Sequence, residues 1–200
     1  MKKSLFIILF AGESIMFSAI DAVLHGCNQY RNEKTQATDS GKELLEISFR
    51  FHRGSIASSQ YAIWIEDEVG RLVRTLYATS FTAKGGYEYR EDAIPVWVNK
   101  AKPQTMSSAQ VDAITGATPQ NGVLTYLWNG TDDKGNCVPP GNYKFFVEGT
   151  LYWKSRVIYS GDFDWVSKEQ ESIPIKVQYL NKSQTNENMI TELRAYHIKK

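Results

Sequence analysis

Alternating hydrophobic and polar positions mark the first strand of the folded region. In ELLEISFRF, the apolar residues Leu45, Ile47, Phe49 and Phe51 fall on one side of an extended chain, and the polar residues between them fall on the other. A period of two is typical of a strand with one face on a core and one face toward solvent. The pattern therefore predicts a half-buried strand that opens a folded region near residue 43.

A β-hairpin is predicted directly afterwards. YAIWIED places Tyr61, Ile63 and Ile65 on one face, and DEVG supplies a turn into RLVRTLYA. Further strands are predicted at VLTYLW, NYKFFVEG, RVIYSGDF, SIPIKVQYL and MITELRAYHI. Four apolar residues of SIPIKVQYL are expected to share one face: Ile173, Ile175, Val177 and Tyr179. Six to eight strands separated by short turns predict a mostly-β fold, an immunoglobulin-like β-sandwich.

The stretch from Ser80 to Gln110 interrupts this pattern. It has no sustained alternation, it carries a Gly pair and two prolines, and it is compatible with one short helix around Pro95 to Lys100. We predict an irregular, partly helical insertion over residues 80–110, and long insertions often carry function. Three of its aromatic residues form either a binding platform or a cap on a small core: Tyr87, Tyr89 and Trp97.

The N-terminus predicts export. MKKSLFIILFAG has two lysines followed by an apolar run, which is the layout of a secretory signal and too short to span a bilayer. LHGC, which ends at Cys27, resembles the bacterial lipobox, with His25 where a small residue is usual. We therefore expect a signal peptide over residues 1–27 with lipidation of Cys27, a polar tether over residues 28–42 and a folded domain over residues 43–200. The protein is expected in the periplasm or on the outer surface, attached to membrane only through the lipid.

Two alternatives stay open for Cys27. It is a bystander behind an ordinary signal peptide, or it forms a disulfide with Cys137 if cleavage falls upstream. These are the two cysteines of the sequence, so lipidation of Cys27 would leave Cys137 without a partner in its own chain.

Composition and motif spacing narrow the function classes. The chain has 23 basic and 22 acidic residues without a long run of either sign, which gives no electrostatic basis for binding nucleic acid. The three histidines stand singly, and no G-x-S-x-G elbow supports nucleophilic catalysis. Asp132, Asp133 and Asn136 lack calcium-loop spacing and are interpreted as a turn. We expect no metal, no nucleic-acid partner and no enzymatic activity.

The stretch WNGTDDKGNCVPPGNYKFFVEG carries the most specific fold signal. Its W-x-G-x-D-x-x-G-x-x-V-P-x-G-x-Y pattern looks like the immunoglobulin-like domain of flagellar hook-capping proteins and their exported relatives. The resemblance implies that Trp128 and Tyr143 pack across a hairpin, with Gly130, Gly135 and Gly141 in its tight turns.

Together with WIED, GRLVRTL and TGATP, this hairpin resembles a narrower group of proteins. An uncharacterised bacterial family of predicted periplasmic proteins shares the motifs W-I-E-D, G-x-x-V-[KR]-T-L, D-x-[ST]-G-A-T-P and W-D-G-T-D-D in this order. The resemblance spans about residues 61–149, and Asn129 stands where the family has Asp. It implies an exported domain encoded beside exported flavin transferases and membrane redox proteins, which are the expected partners.

DAITGAT, from Asp112 to Thr118, has two interpretations. It resembles the D-x-x-[ST]-G-A-[ST] sequence to which exported flavin transferases attach FMN through its phosphate. The resemblance implies recognition through Asp112, Thr115, Gly116 and Ala117 and attachment to the hydroxyl of Thr118, whose flavin would carry the redox chemistry. In the alternative, Asp112 caps a turn formed by Thr115 and Gly116, and Thr118 leads into the strand VLTYLW.

Two functions follow from these predictions. In the first, the domain is an exported accessory or scaffold module of an extracytoplasmic flavin-linked redox system, and it binds a partner through residues 80–110. In the second, the domain is a covalent FMN carrier, flavinylated on Thr118, that passes electrons between membrane and periplasm. Covalent FMN is the one cofactor that these hypotheses consider for the chain itself, and only the second requires it.

Overall fold

The first strand has the half-buried pattern that its alternation predicts. In the computed structural model, which describes residues 43–53, 59–116, 119–151, 155–165, 171–181 and 189–199, strand β1 runs over Glu43–Phe51. Leu45, Ile47, Phe49 and Phe51 are at most 1% exposed, whereas the residues between them are partly exposed. The prediction for this strand is confirmed.

Nine further strands follow β1 among the described residues. They are β2 (Gln60–Asp67), β3 (Leu72–Thr79), β4 (Thr115–Gly116), β5 (Gly122–Trp128), β6 (Gly141–Leu151), β7 (Ser155–Trp165), β8 (Glu171–Ser172), β9 (Lys176–Asn181) and β10 (Ile190–Lys199). One sheet has the order β5-β1-β10-β8, and the other has the order β4-β3-β2-β6-β7-β9. The pair β3–β4 is parallel, and the other described pairs are antiparallel. The predicted mostly-β sandwich is confirmed.

Aromatic side chains fill much of the space between the two sheets. Trp128 lies 5.6 Å from Tyr143 and 4.6 Å from Trp165 between ring centroids, so the packing implied for Trp128 and Tyr143 is present. Gly130 has a φ of 75°, and a Cβ there would lie 2.2 Å from the ring of Trp165. Only glycine fits both the conformation and the close approach at this turn.

The insertion covers the outer face of the larger sheet. It contains α1 (Ser80–Ala83), a 3-10 turn (Gly86–Glu88), α2 (Pro95–Ala101), a second 3-10 turn (Pro103–Thr105) and α3 (Ser108–Ile114). The predicted helix near Pro95 is confirmed, and this proline occupies the start of α2, where its missing N–H needs no partner. Ile94 and Trp97 of the insertion form a second core with Trp64 of β2, and all three are fully buried.

The strand predicted over SIPIKVQYL is divided. β8 ends at Ser172 and β9 begins at Lys176, with Pro174 between them. Ile173 is buried in the core, whereas Val177 and Tyr179 are 46% and 42% exposed. The expectation that these side chains share one face is therefore wrong, because the chain changes sheet at a proline that has no N–H for a strand ladder.

Candidate functional site

The DAITGAT segment begins inside a helix rather than at a turn. Ser107 and Gln110 form a capping box, in which the Gln110 amide donates to Ser107 Oγ (3.3 Å) and the Ser107 amide donates to Gln110 Oε1 (2.8 Å). This cap starts α3, so Asp112 lies within the helix and the prediction that it caps a turn is wrong. The Asp112 carboxylate is exposed and forms an ion pair with Lys84, with 2.8 Å between Oδ1 and Nζ.

Thr115 and Gly116 lie at the edge of the larger sheet. They form β4, which pairs in parallel with Ala78 and Thr79 at the end of β3. The turn expected at these two residues is therefore wrong, because they continue from α3 into extended backbone. Both residues are partly exposed at an edge strand and are not packed beneath a sheet.

Tyr77 fixes the position of Gly116. Its hydroxyl donates to the carbonyl of Gly116 at 3.4 Å, and a Cβ added to Gly116 would lie 3.1 Å from the Tyr77 ring. Close packing against Tyr77 therefore explains a glycine at this position of DAITGAT without any role in flavinylation. Ala117 and Thr118 lie outside the described residues, so attachment of FMN to Thr118 stays a prediction.

Tyr77 belongs to a buried tyrosine cluster. Its ring stacks on Tyr61 at 4.8 Å and lies 5.4 Å from Tyr126, and the hydroxyls of Tyr61 and Tyr126 are 2.6 Å apart. Burial raises the pKa of Tyr77, and it raises the pKa of Tyr126 to about 12. The cluster therefore stays protonated at neutral pH and places no charge beside Gly116.

The insertion presents two exposed aromatic side chains. Phe81 is 47% exposed and Tyr89 is 85% exposed. We name the exposed residues Phe81, Lys84, Tyr89 and Asp112 together the insertion face; within it, the Lys84–Asp112 ion pair connects the end of α1 to α3.

Trp97 does not contribute to a binding platform. It is fully buried, and its Nε1 donates to Thr75 Oγ1 at 3.2 Å beneath the insertion. Of the two interpretations of the insertion aromatics, the core cap holds for Trp97, whereas Tyr89 is free to face a partner. Tyr87 is partly exposed.

The TDDKGN turn packs along the edge of β3 that faces away from β2. Asp132 Oδ1 accepts from the amides of Lys134 and Asn136, and these bonds outweigh burial, so that the pKa of Asp132 lies below its usual value. The amide of Asp133 donates to the Val73 carbonyl, and its Oδ1 accepts from the Thr75 amide at 3.1 Å. The interpretation of this segment as a turn is confirmed.

Neither a metal cluster nor a membrane-spanning helix occurs in the part of the chain that the structure describes. No group of three or more His, Cys, Asp and Glu residues there is arranged to hold a metal ion. No helix there is long and apolar enough to cross a membrane.

Cys137 is half of a disulfide. The backbone of Cys137 forms an isolated antiparallel β-bridge with Thr131. This bridge lies at the end of the sandwich where β5 ends and β1 begins. Cys27 is the other cysteine of the sequence and lies outside the described residues. The state of Cys137 favours the alternative of a Cys27–Cys137 bridge, and lipidation of Cys27 stays a prediction.

His197 is a buried titratable group in the sandwich. It is 3% exposed, its ring lies 5.3 Å from Trp165, and neither ring nitrogen has a hydrogen-bond partner among the described residues. Burial lowers its pKa, against the opposing charges of Glu43, Asp164 and Glu171. The histidine is therefore held neutral as part of the core.

Sequence reasoning missed Lys84, Tyr77 and the helix α3. The S-x-x-Q pattern at Ser107 is a capping-box signature, and it could have revealed the helix that holds Asp112. Lys84 and Tyr77 carry no local signal, because their roles depend on contacts with residues 28 and 39 positions away, respectively.

The fold and this site define a two-sheet β-sandwich with a helical insertion that covers one sheet. A family model described as "Predicted periplasmic protein (DUF2271)" matches residues 44–180, and the chain belongs to this family. No curated protein matches the chain. Among solved structures, FLGD from P. aeruginosa is 13% identical, with 81% of this chain and 76% of that chain covered; its TM-score of 0.30 is too low to support an argument.

Proposed function

We propose that this chain is an exported accessory module of an extracytoplasmic flavin-linked redox system, without catalysis of its own, and that it binds a partner through the insertion face. The observation that carries the proposal is the exposure of Phe81 and Tyr89 on an insertion that is otherwise anchored to the sheet. Rigidly presented aromatic side chains are typical anchors of protein interfaces. Family membership supports the periplasmic compartment.

The position of the insertion face supports the flavin link. Its Lys84 binds Asp112, the first residue of the segment that resembles the target of exported flavin transferases. A protein that binds the insertion face would therefore also meet Asp112. The expected partners are an exported flavin transferase and membrane redox proteins.

Point substitutions are the appropriate test of this surface. Deleting residues 80–110 would uncover Trp64, which the insertion buries. We expect Phe81→Ser with Tyr89→Ser to abolish co-purification of the partner from native membranes. The matched control is Val123→Ser with Leu127→Ser, since these residues are 62% and 51% exposed on the other sheet. Equal loss in both variants, or no loss in either, would reject the insertion face as the binding surface.

A covalent FMN carrier is the second candidate, and one observation favours it. Asp112, Thr115 and Gly116 lie on or next to an edge strand, and all three are at least partly exposed to a second enzyme. Flavinylation of Thr118 would attach the cofactor two residues after Gly116 in the chain. The intact mass of protein co-expressed with an exported flavin transferase tests this candidate.

Membrane attachment depends on the chemistry of Cys27. We propose export to the periplasm or outer surface, with a lipid on Cys27 or a disulfide to Cys137 as mutually exclusive uses of one sulfur atom. Cys27→Ser should release a lipid-anchored protein from membranes and should leave a disulfide-bonded one in the same fraction as before.

A further inference from the structure

Glu148 is a buried carboxylate that holds the insertion to the sheet. It lies on β6 and is fully buried beneath residues 92–101, which we name the strap. Its Oε2 accepts from the Trp97 amide at 2.9 Å, and its Oε1 accepts from the Val96 amide at 3.3 Å. Both donors belong to the first turn of α2, where amides have no partner within the helix.

The negative charge of Glu148 is only partly compensated. Arg156 of β7 is the charged group that acts on it, but its Nε is 3.8 Å from Glu148 Oε1 and has no hydrogen-bond partner among the described residues. The neighbouring position on β2 is Ala62, which is apolar.

The other charged groups of the strap are engaged elsewhere. Arg90, just before the strap, pairs with Asp92 at 3.2 Å, and Lys100 pairs with Glu66 at 3.2 Å. Burial therefore dominates at Glu148 and raises its pKa to about 7, while the two amides and Arg156 act in the opposite direction.

The strap is held in a strained conformation at both ends of α2. Ile94 and Lys102 have φ values of 43° and 50°, in the left-handed region that side chains with a Cβ rarely adopt. Thr150 supports the first of these residues, since its hydroxyl accepts from the Ile94 amide at 3.1 Å and donates to the Asp92 carbonyl at 2.9 Å. Strain at two flanking positions favours opening of the strap as one unit once its contacts weaken.

We propose that the strap is a proton-linked element that lies more tightly on the sheet when Glu148 is protonated and opens more readily as pH rises. When the strap opens, Glu148 meets water and regains an ordinary carboxyl affinity for protons. The closed form therefore binds a proton that the open form releases, and raising the pH favours opening. This inference concerns the conformation of the insertion and holds with or without a bound partner.

Hydrogen exchange of the intact protein tests the proposal. After correction for intrinsic rates, we expect the protection of peptides within residues 92–101 to fall by about tenfold or more between pH 5 and pH 8. Peptides from β1 report on the rest of the sandwich. Strap protection that does not change with pH, or that changes in parallel with β1, would overturn the proposal.

Two variants isolate the group that titrates. Glu148→Gln keeps the shape without the charge, so its strap protection should lose the pH dependence. Glu66→Gln removes the charged partner of Lys100 at the other end of α2, and it should lower protection while keeping the pH dependence. If Glu148→Gln does not fold, carboxyl carbon NMR of the wild-type protein decides instead: titration of Glu148 near neutral pH supports the proposal, and titration below pH 5 overturns it.

Discussion

Tyr77 and Gly116 hold each other at the edge of the larger sheet. The Tyr77 hydroxyl binds the Gly116 carbonyl, and the ring occupies the space next to the Gly116 Cα. The glycine that matches the flavin-transferase target is thus also required by the fold. Its presence in DAITGAT does not by itself distinguish an acceptor site from a structural segment.

Gly116→Ala should destabilise the protein by about 1 kcal/mol or more, because Tyr77 is stacked on Tyr61 and has little room to move. Urea unfolding measures the change. In a Tyr77→Leu background the same substitution should cost clearly less, since the ring that obstructs the Cβ is gone. Equal costs in both backgrounds would mean that Tyr77 is not the obstacle.

Thr118→Ala should prevent flavinylation if the chain is an FMN carrier. The measurement is intact mass after co-expression with an exported flavin transferase in an exporting host. The carrier hypothesis expects one FMN phosphoryl adduct on the wild-type protein and on Thr125→Ala, an exposed threonine of the other sheet. Unmodified wild-type protein, or an adduct that persists in Thr118→Ala, contradicts it.

Cys137 should resist alkylation until the exported protein is reduced, because it is disulfide-bonded and Cys27 is the other cysteine available. Mass spectrometry with and without reductant counts the thiols. Cys137→Ser should lower the free energy of unfolding by about 2–4 kcal/mol. A lipid-modified N-terminus together with a freely alkylated Cys137 would establish the lipid anchor instead.

Acidification should destabilise the wild-type protein relative to His197→Leu. The pKa of His197 is lowered by burial, so its contribution is present above pH 6.5 and is lost as the pH falls and the unfolded chain takes up the proton first. The difference between the two unfolding free energies should change between pH 7 and pH 5, by at most about 1.4 kcal/mol per pH unit. Glu148 acts in the opposite direction but is common to both proteins.

His52→Leu is the control for this comparison, since His52 is exposed. It measures how replacing an exposed imidazole by leucine alters the pH profile. A His197→Leu profile that is parallel to the wild type would show that His197 is not the group responsible.

Strand alternation predicted much of the sandwich, and the reason is visible at β1. Leu45 and Phe51 need only a period of two to reach the core, so local sequence carries the information. At β2, alternation with Tyr61, Ile63 and Ile65 leaves the residues between them on the opposite face. Ala62, Trp64 and Glu66 are nevertheless buried, because the insertion covers that face. The sequence pattern of β2 alone does not indicate that the insertion, a distant segment, covers this strand.

The candidate site was only partly predictable for the same reason. The flavin-transferase motif identified Asp112 and Gly116 from the sequence. It did not reveal that Asp112 lies in a helix that starts at a capping box, or that Tyr77 constrains Gly116. The role of Glu148 could not be predicted either, because the alternation in β6 predicts a polar residue that faces solvent. Its burial depends on the strap, which comes from a distant segment. Contacts between distant segments determine these roles.

Site-specific crosslinking in the native host tests most directly whether the insertion face binds a flavin-linked redox partner. A photo-crosslinking amino acid replaces Tyr89 of the insertion in one protein and Val123 of β5 in a control, and both positions are exposed. We expect crosslinking from position 89, and not from position 123, to an exported flavin transferase or a membrane redox protein identified by mass spectrometry. Capture of the same proteins from both positions, or of no redox protein from position 89, would contradict the proposed function.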